Sequence, residues 1–157
     1  MTCSIGREPW WTAEAFVQGQ ANKILNVRFR GLAGAGLRFR AMKADRFRLY
    51  AALLAMFEHE EIGSGSIVHR DLRWSSYASW NWTTTGILRI VNTTYWQPLV
   101  RDIEDYRIAS QTDFVMRLSP SFSYVLAFHY AFDSRPPDGV VNSEYSIRNV
   151  LSVDFEK

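Results

Sequence analysis

The chain has 157 residues and a formal net charge of +2, a near balance that gives no indication of a nucleic-acid partner. Aromatic residues make up 15% of it, a content that suits an amphipathic surface at a lipid–water boundary. The one cysteine, Cys3, excludes an intrachain disulfide. No stretch approaches the roughly 18 consecutive apolar residues of a membrane-spanning helix.

Alternation of apolar and polar residues dominates nearly the whole sequence and predicts β-strands. The predicted strands are 10–19, 27–41, 46–58, 69–82, 86–97, 105–118, 121–133 and 144–155. No internal repeat or linker divides them, so we expect residues 1–157 to form a single domain. The fold class predicted is all-β, an antiparallel up-and-down transmembrane β-barrel of about eight strands.

The predicted connections alternate in length. Short ones are predicted at 42–45, 83–85 and 119–121, and longer polar ones at 20–26, 59–68, 98–104 and 134–143. Transmembrane barrels alternate in this way, with short periplasmic turns and longer outer loops. With an even number of strands, both chain ends then lie on the short-turn side. No export signal is visible at the start of the sequence, so this interpretation predicts one ahead of Met1.

Aromatic residues recur ten positions apart on the apolar faces of four strands. The pairs are Phe29 and Phe39, Phe47 and Phe57, Phe122 and Phe132, and Tyr145 and Phe155. Ten residues cover about 33 Å, or about 25 Å along the axis of a barrel whose strands tilt by about 40°. This matches the height of a lipid-facing band between two aromatic girdles. We therefore predict two girdles, to which Trp80, Trp96 and Tyr106 add rings.

The opposite face carries arginines, carboxylates and glycines. The predicted polar network of the lumen consists of Glu14, Arg28, Arg30, Arg38, Arg48, Glu58, Asp71, Arg73, Arg89, Arg107, Asp113, Arg117, His129 and Arg148. An eight-stranded barrel has room inside for modest side chains only, and rows of aromatic rings would overfill it. We therefore expect the aromatic face to contact lipid and the polar face to form a plugged, slightly positive interior.

Two alternatives remain open at this stage. A soluble lipocalin-like carrier would place the apolar face inside, around an apolar ligand. A small anion-preferring pore would keep the arginines inside but leave the lumen open.

Residues with catalytic or metal-binding chemistry do not converge in the sequence pattern. His59 lies between Glu58 and Glu60, but successive strand residues point to opposite faces. His129 falls among the lumen-facing positions and fits a hydrogen-bonded member of the polar network. Ser110 shares its face with no histidine, unlike the lipid-cleaving site of some small barrels. We predict no metal, no cofactor and no enzymatic activity.

Several segments are similar to those of one known family. They are AEAFVQGQANK with RFRGLAGAGLRF, RLYAALLAMFEHE, TTYWQP with DYR, and DSRPPDGVVNSEYSIRNVLSVDF. From about Trp10 onward the chain resembles the salt-induced outer-membrane protein family, domain of unknown function 481. The resemblance implies a bacterial outer-membrane β-barrel of unassigned biochemical role, structural or related to envelope stress.

Two departures from the family pattern are present near the end of the chain. Glu144 stands where the family more often has Asp, and Glu156 and Lys157 follow Phe155, whereas the last strand of a barrel usually ends on its aromatic residue. Family members also carry a signal peptide and further residues ahead of this region, which implies additional strands and a larger barrel. We expect outer-membrane lipid and the outer-membrane assembly machinery as partners, and a monomer.

Overall fold

A computed structural model describes residues 10–22, 27–62, 67–84, 86–137 and 139–153. Within these ranges the side chains at 20–22, 27–28, 60, 62 and 67–69 are not described. Cys3 and Phe155, which the sequence analysis singled out, lie outside the described residues. In the described part of the chain, no helix has the length and apolar character needed to cross a membrane.

Eight strands form one antiparallel sheet in chain order, with each strand hydrogen-bonded to the next. They are β1 (Trp11–Asn22), β2 (Val27–Lys43), β3 (Phe47–Ile62), β4 (Ile67–Thr83), β5 (Leu88–Leu99), β6 (Asp102–Ser119), β7 (Phe122–Asp133) and β8 (Ser143–Val153). The all-β, antiparallel, up-and-down prediction is confirmed, and every predicted strand is present. Strand formation follows from the alternating pattern, which places the apolar and the polar side chains of a strand on opposite faces of the sheet.

The sheet is open, which differs from the closed barrel that we predicted. Among the described residues, β1 pairs with β2 alone and β8 pairs with β7 alone. Local alternation predicts which strands exist and which face each side chain takes. It does not determine whether the two edges meet, because that contact joins the two ends of the sheet.

The predicted alternation of long and short connections is wrong in three places. Four residues separate β1 from β2 and β3 from β4, and only Val100 and Arg101 separate β5 from β6. The segment 134–142, between β7 and β8, is the one long connection among the four that we expected. Polar hairpin ends can continue their backbone pairing in water, so composition alone does not show where a strand stops.

The arginine-bearing face of the sheet is concave. The Tyr77 hydroxyl of β4 donates a 2.5 Å hydrogen bond to Glu14 of β1, three strands away. Arg107 of β6 likewise donates to Glu58 of β3 at 2.5 Å. In a flat sheet these strands would lie about 14 Å apart, so the sheet must curl toward the face that carries these side chains. The aromatic face is therefore convex.

The convex face exposes apolar side chains in quantity. Leu53, Phe57, Leu72 and Trp96 are each between 45% and 51% exposed. On the concave face, by contrast, Leu54 and Met56 are buried, at 4% and 0% exposed. Alternate residues of the same strand, β3, thus have opposite surroundings, although nearly all of them are apolar.

Gly36 of β2 lies on the concave face, opposite Glu14 of β1 and Leu54 of β3. A Cβ atom there would collide with the backbone carbonyl oxygen of Leu53 and lie 2.5 Å from the Cα of Leu54. Backbone atoms cannot rotate away, so β2 and β3 would have to separate.

We expect Gly36→Ala to lower the free energy of unfolding by about 1–3 kcal/mol, the usual cost of overpacking. Urea unfolding of the refolded protein, followed by tryptophan fluorescence, measures the change. Gly86→Ala is the matched control, because a Cβ atom at Gly86 would have no atom within 4 Å. Equal midpoints for the two variants would contradict the close approach of β2 and β3.

Candidate functional site

A buried ion-pair cluster occupies the concave face near the end where β3 and β4 are connected. Its centre is Glu58, which is 1% exposed. We call this group the Glu58 cluster, and its members are Glu58, Arg30, Arg73, Arg107, Asp105 and Asp133. They come from β2, β3, β4, β6 and β7.

Three guanidinium groups surround the Glu58 carboxylate. The Nε atom of Arg30 lies 2.5 Å from Oε1, and Nη1 of Arg107 lies 2.5 Å from the same oxygen. The Nε atom of Arg73 donates to Oε2 at 3.0 Å. The hydrogen bonds from Arg73 and Arg107 are charge-assisted, which makes them about twice as strong as neutral ones, and they act where water is largely excluded.

Two further carboxylates balance the charge of the arginines. Asp105 lies 2.9 Å from Nη2 of Arg73, and Asp133 accepts a hydrogen bond from Nε of Arg107 at 2.8 Å. Arg73 also donates to the backbone carbonyl oxygens of Gln97 and Asp105, both at 3.3 Å. The cluster as described thus sets three arginines against three carboxylates, which leaves no net charge.

A second polar group, the Glu14 cluster, lies on the concave face toward the opposite end of the strands. Its members are Glu14, Arg38, Tyr50, Tyr77 and Tyr95. Glu14 lies 3.0 Å from Nη1 of Arg38 and accepts the hydrogen bond from Tyr77. The Arg38 guanidinium is 5.2 Å from the centroid of the Tyr50 ring, within the range of a cation–π contact.

Apolar side chains separate the two clusters, which the sequence analysis did not anticipate. Leu32, Leu54 and Met56 are buried on the concave face between them. Beside these residues lies a cavity of about 880 Å³ that Phe16 and Tyr95 also line. The interior is therefore a layered surface of polar, apolar and again polar groups.

Four of the remaining predicted lumen residues have partners outside the two clusters. Asp71 lies 3.7 Å from Arg101. Asp113 accepts hydrogen bonds from Gln111. His129 shares a 3.0 Å hydrogen bond with Arg148 of the neighbouring strand.

Three others, Arg48, Arg89 and Arg117, are exposed near the short-turn ends of their strands. They lie on the concave face in register with Asn81, Val115 and Ser123, with which they pair in that order. The side chain of Arg28 lies outside the described residues. The sequence thus assigned these residues to one face, while the structure brings only part of them into contact.

His59 and Glu58 point to opposite faces of β3, as the alternation predicts. His59 lies 3.3 Å from Glu61, two residues along on the same face, beyond the aromatic Phe57. Within the described ranges, no group of three or more His, Cys, Asp or Glu side chains is placed to hold a metal ion.

The predicted girdle residues share the convex face. They are Phe29, Phe39, Phe47, Phe57, Trp80, Trp96, Tyr106, Phe122, Phe132 and Tyr145. Ring contacts occur within each predicted row: Phe47 and Trp80 have centroids 6.3 Å apart, and Tyr106 and Phe132 have centroids 5.8 Å apart. For the described strands, the convex face between the two rows carries no charged side chain.

The convex face also carries a polar group on β5 and β6. Asn92, Thr94, Ser110 and Thr112 form this group. Asn92 donates to the side-chain oxygens of Ser110 (3.3 Å) and Thr112 (2.8 Å), and Thr94 pairs with Ser110 at 2.9 Å. Their polar atoms satisfy one another, which lowers the cost of placing them in apolar surroundings. Asn92 and Thr94 interrupt the apolar row of β5, and this group accounts for the interruption.

Beyond the aromatic row at the other end of β6, exposed charges form an ion pair. Asp102 accepts a 2.7 Å hydrogen bond from Arg135 and another from the backbone N–H of Glu104. These two hydrogen bonds, the one from Arg135 foremost, hold the pKa of the Asp102 carboxyl below its ordinary value. The pair therefore persists below the usual titration range of an aspartate and is lost as the pH falls through the lowered pKa.

Residues 7–155 match the family described as "Protein of unknown function, DUF481". The chain belongs to the DUF481 family. This match spans all eight strands and both clusters, so the Glu58 and Glu14 clusters are features of a DUF481 domain. No curated protein matches the chain significantly. The description of this family assigns neither an activity nor a location.

Proposed function

We propose that this DUF481 protein is a bacterial outer-membrane β-barrel with a plugged lumen and a structural or envelope-stress role. The observation that carries the proposal is the convex face, which is apolar, exposed and uncharged between two aromatic rows. Soluble monomers rarely expose contiguous apolar surface beyond a few hundred Å², and larger patches mark membrane or partner contacts. Aromatic rows bordering an apolar band are the surface that a bilayer selects.

The register of the sheet supports the same proposal. A line of paired residues crosses the sheet at right angles to the strands, from Trp11 of β1 to Tyr130 of β7. Between them it passes through Phe39, Ala51, Ala78, Thr94 and Ser110. The aromatic row at the short-turn ends of the strands includes Phe39 and Phe47, and we call it the short-turn row. On β7 its aromatic residue is Phe122, which is eight residues from Tyr130. The row therefore crosses the strands obliquely.

The angle at which the aromatic row crosses the strands gives the tilt of the strands. Six steps between strands span about 29 Å, and eight residues of strand span about 26 Å. The two lengths correspond to a tilt of about 42° between the strands and the normal to the aromatic row. Transmembrane barrels have strand tilts of about 35–45°, so this tilt supports a position of the aromatic row at a bilayer interface.

The Glu58 cluster supports a plug rather than a pore. Its three arginines are matched by three carboxylates, and its side chains cross the concave face from β3 to β6. An ion would have to displace these pairs at the cost of leaving buried charges without partners. The geometry also disfavours the soluble carrier, because that protein would need its apolar face on the concave side.

Refolding the full chain with phosphatidylcholine vesicles tests the proposal. We expect the protein to float with the vesicles after an alkaline wash and to migrate differently on gels before and after heating. Planar bilayers that contain the refolded protein are expected to show no conductance. A folded, monomeric protein that stays in the aqueous phase without detergent would overturn the membrane assignment, and steady single-channel currents would overturn the plug.

A further inference from the structure

We propose that the concave face holds a binding site for a small anionic sugar, a single ring that carries one phosphate or carboxylate group. The site is the pocket that extends from the Glu14 cluster toward the short-turn ends of β3, β4 and β5, and we call it the tyrosine pocket. This inference goes beyond the proposed function, because it concerns the concave face and does not depend on what the convex face contacts.

The tyrosine pocket lies on the four neighbouring strands from β2 to β5. Its volume is about 230 Å³, and it is lined by the three tyrosines of the Glu14 cluster, by Arg38 and by Ser79, Asn81 and Thr93. Neither edge strand lines it. Pockets for drug-sized ligands measure about 300–1,000 Å³, so this pocket fits a smaller molecule of about one ring.

The walls of the pocket offer hydrogen-bonding groups that the protein does not use itself. Within the described residues, the hydroxyl groups of Tyr50 and Tyr95 and the side-chain amide of Asn81 have no hydrogen-bond partner. Ser79 and Thr93 share one 2.9 Å hydrogen bond, which leaves their oxygens further capacity to accept. Hydroxyl and amide groups donate as well as accept, which matches the hydroxyl groups around a sugar ring.

Aromatic rings form the side of the pocket next to Glu14. The rings of Tyr77 and Tyr95 have centroids 5.1 Å apart, and their planes are inclined by 50°. A sugar ring has apolar C–H faces, and tyrosine supplies an apolar ring face together with a polar tip. Because Arg38 and Glu14 bind each other, this end of the pocket adds no net charge.

Positive charge is concentrated at the other end of the pocket. Arg48 pairs with Asn81, and Arg89 pairs with Thr83, two residues further along β4 on the same face. Both arginines are exposed, and within the described ranges neither has a carboxylate at salt-bridge distance. Asp113 lies on the same line of pairs as Arg48 but three strands away, and its oxygens accept hydrogen bonds from the residue two positions before it.

The two arginines determine the charge of the ligand. A guanidinium group matches the oxygens of a phosphate or carboxylate in forked hydrogen bonds. With the sugar ring between the tyrosines and Asn81, its anionic group would lie at Arg48 and Arg89. A neutral sugar would lack these charged contacts, and a free phosphate would lack the contacts with the pocket walls.

Calorimetric titration of the full chain refolded in detergent micelles tests the site, because both ends of the strands are then accessible. The probes are glucose 6-phosphate, glucose and inorganic phosphate, all at physiological salt. We expect glucose 6-phosphate to bind at least about tenfold more tightly than either of the others, the effect of one charge-assisted hydrogen bond or more. Equal affinity for glucose 6-phosphate and for either other probe, or no binding of glucose 6-phosphate, would overturn the proposal.

A pair of double variants locates the anionic group. Arg48→Gln combined with Arg89→Gln is expected to weaken glucose 6-phosphate binding at least about tenfold. The matched control combines Arg101→Gln with Arg135→Gln, which removes the same charge from two exposed arginines, 77% and 53% exposed, at the far end of the strands. The control should change the affinity by less than about twofold, because water and salt screen distant surface charges. Equal losses in the two double variants would show general attraction and contradict the site.

Tyr95→Phe covers the case in which the loss of two arginines prevents folding. This variant removes only a hydroxyl group without a hydrogen-bond partner in the described part of the chain. We expect an affinity for glucose 6-phosphate about threefold to tenfold lower, the effect of one neutral hydrogen bond. An unchanged affinity would contradict the position of the sugar in the tyrosine pocket. Flotation with vesicles tests the proposed function separately, so either proposal can fail while the other stands.

Discussion

Replacement of Glu58 by glutamine is expected to lower the free energy of unfolding by about 3–5 kcal/mol, the usual cost of breaking a buried ion pair by removing one partner. Glutamine keeps the size of the side chain but removes the negative charge at the point where Arg30, Arg73 and Arg107 meet. The described cluster would change from neutral to one net positive charge. Urea titration of the vesicle-refolded protein measures the loss.

Asp102→Asn is the matched control for this variant. Asp102 also binds an arginine through a short hydrogen bond, to Arg135 at 2.7 Å, but both side chains are exposed. Surface ion pairs contribute little because water and salt screen them, so the unfolding midpoint should hardly move.

A second variant separates charge balance from the loss of hydrogen bonds. In Glu58→Gln combined with Arg30→Gln, the described cluster regains neutrality, and we expect part of the lost stability to return. Additive effects of the two substitutions would contradict an electrostatic coupling within the cluster, because residues that interact directly are expected to couple.

Leu53→Arg is expected to have the next largest effect, a loss of about 2–4 kcal/mol in membranes, the cost of an arginine at the bilayer midplane of a barrel. Leu53 lies on the convex face of β3, about midway between Phe47 and Phe57, and is 51% exposed. The size of this loss distinguishes a convex face that contacts lipid from one that contacts water. An exposed leucine on a soluble protein tolerates such a change within about 0.5 kcal/mol.

His59→Arg provides the control at another depth. His59 shares the convex face of β3 with Leu53 but lies beyond Phe57, next to Glu61. Near an interface an arginine on the lipid-facing side costs only about 0–1 kcal/mol. Equal, small effects of the two variants in vesicle-refolded protein would argue that the convex face does not contact hydrocarbon.

The polar group formed by Asn92, Thr94, Ser110 and Thr112 lies on the same convex face as Leu53. These four side chains lie on the face proposed to contact lipid, and their mutual hydrogen bonds make this position compatible with hydrocarbon. An arginine at Leu53 has no such partners.

The sequence by itself determined the strands and the two faces. Alternation has a period of two in any strand, so positions such as Phe57 and Glu58 fall on opposite faces whatever the tertiary arrangement. The spacing of Phe47 and Phe57 along β3 is equally local, because strand rise is constant. The same local alternation, interrupted by polar connections, predicted eight strands in one antiparallel sheet.

The tertiary structure decided which residues of a face meet. Glu58 contacts arginines from three other strands, and their sequence distances of 15, 28 and 49 residues follow no local period. The curl of the sheet brought them together and also buried Leu54 and Met56, which the alternation could not assign to lipid or interior because β3 is apolar on both faces.

Pairing of the two edge strands and the length of each turn also depend on residues that are far apart in the sequence. Whether β1 meets β8, and whether the chain after Leu99 turns in two residues, is set by the summed register of all the strands and by backbone pairing that continues into water. No residue encodes either property locally, which is why these were the features that the sequence analysis missed.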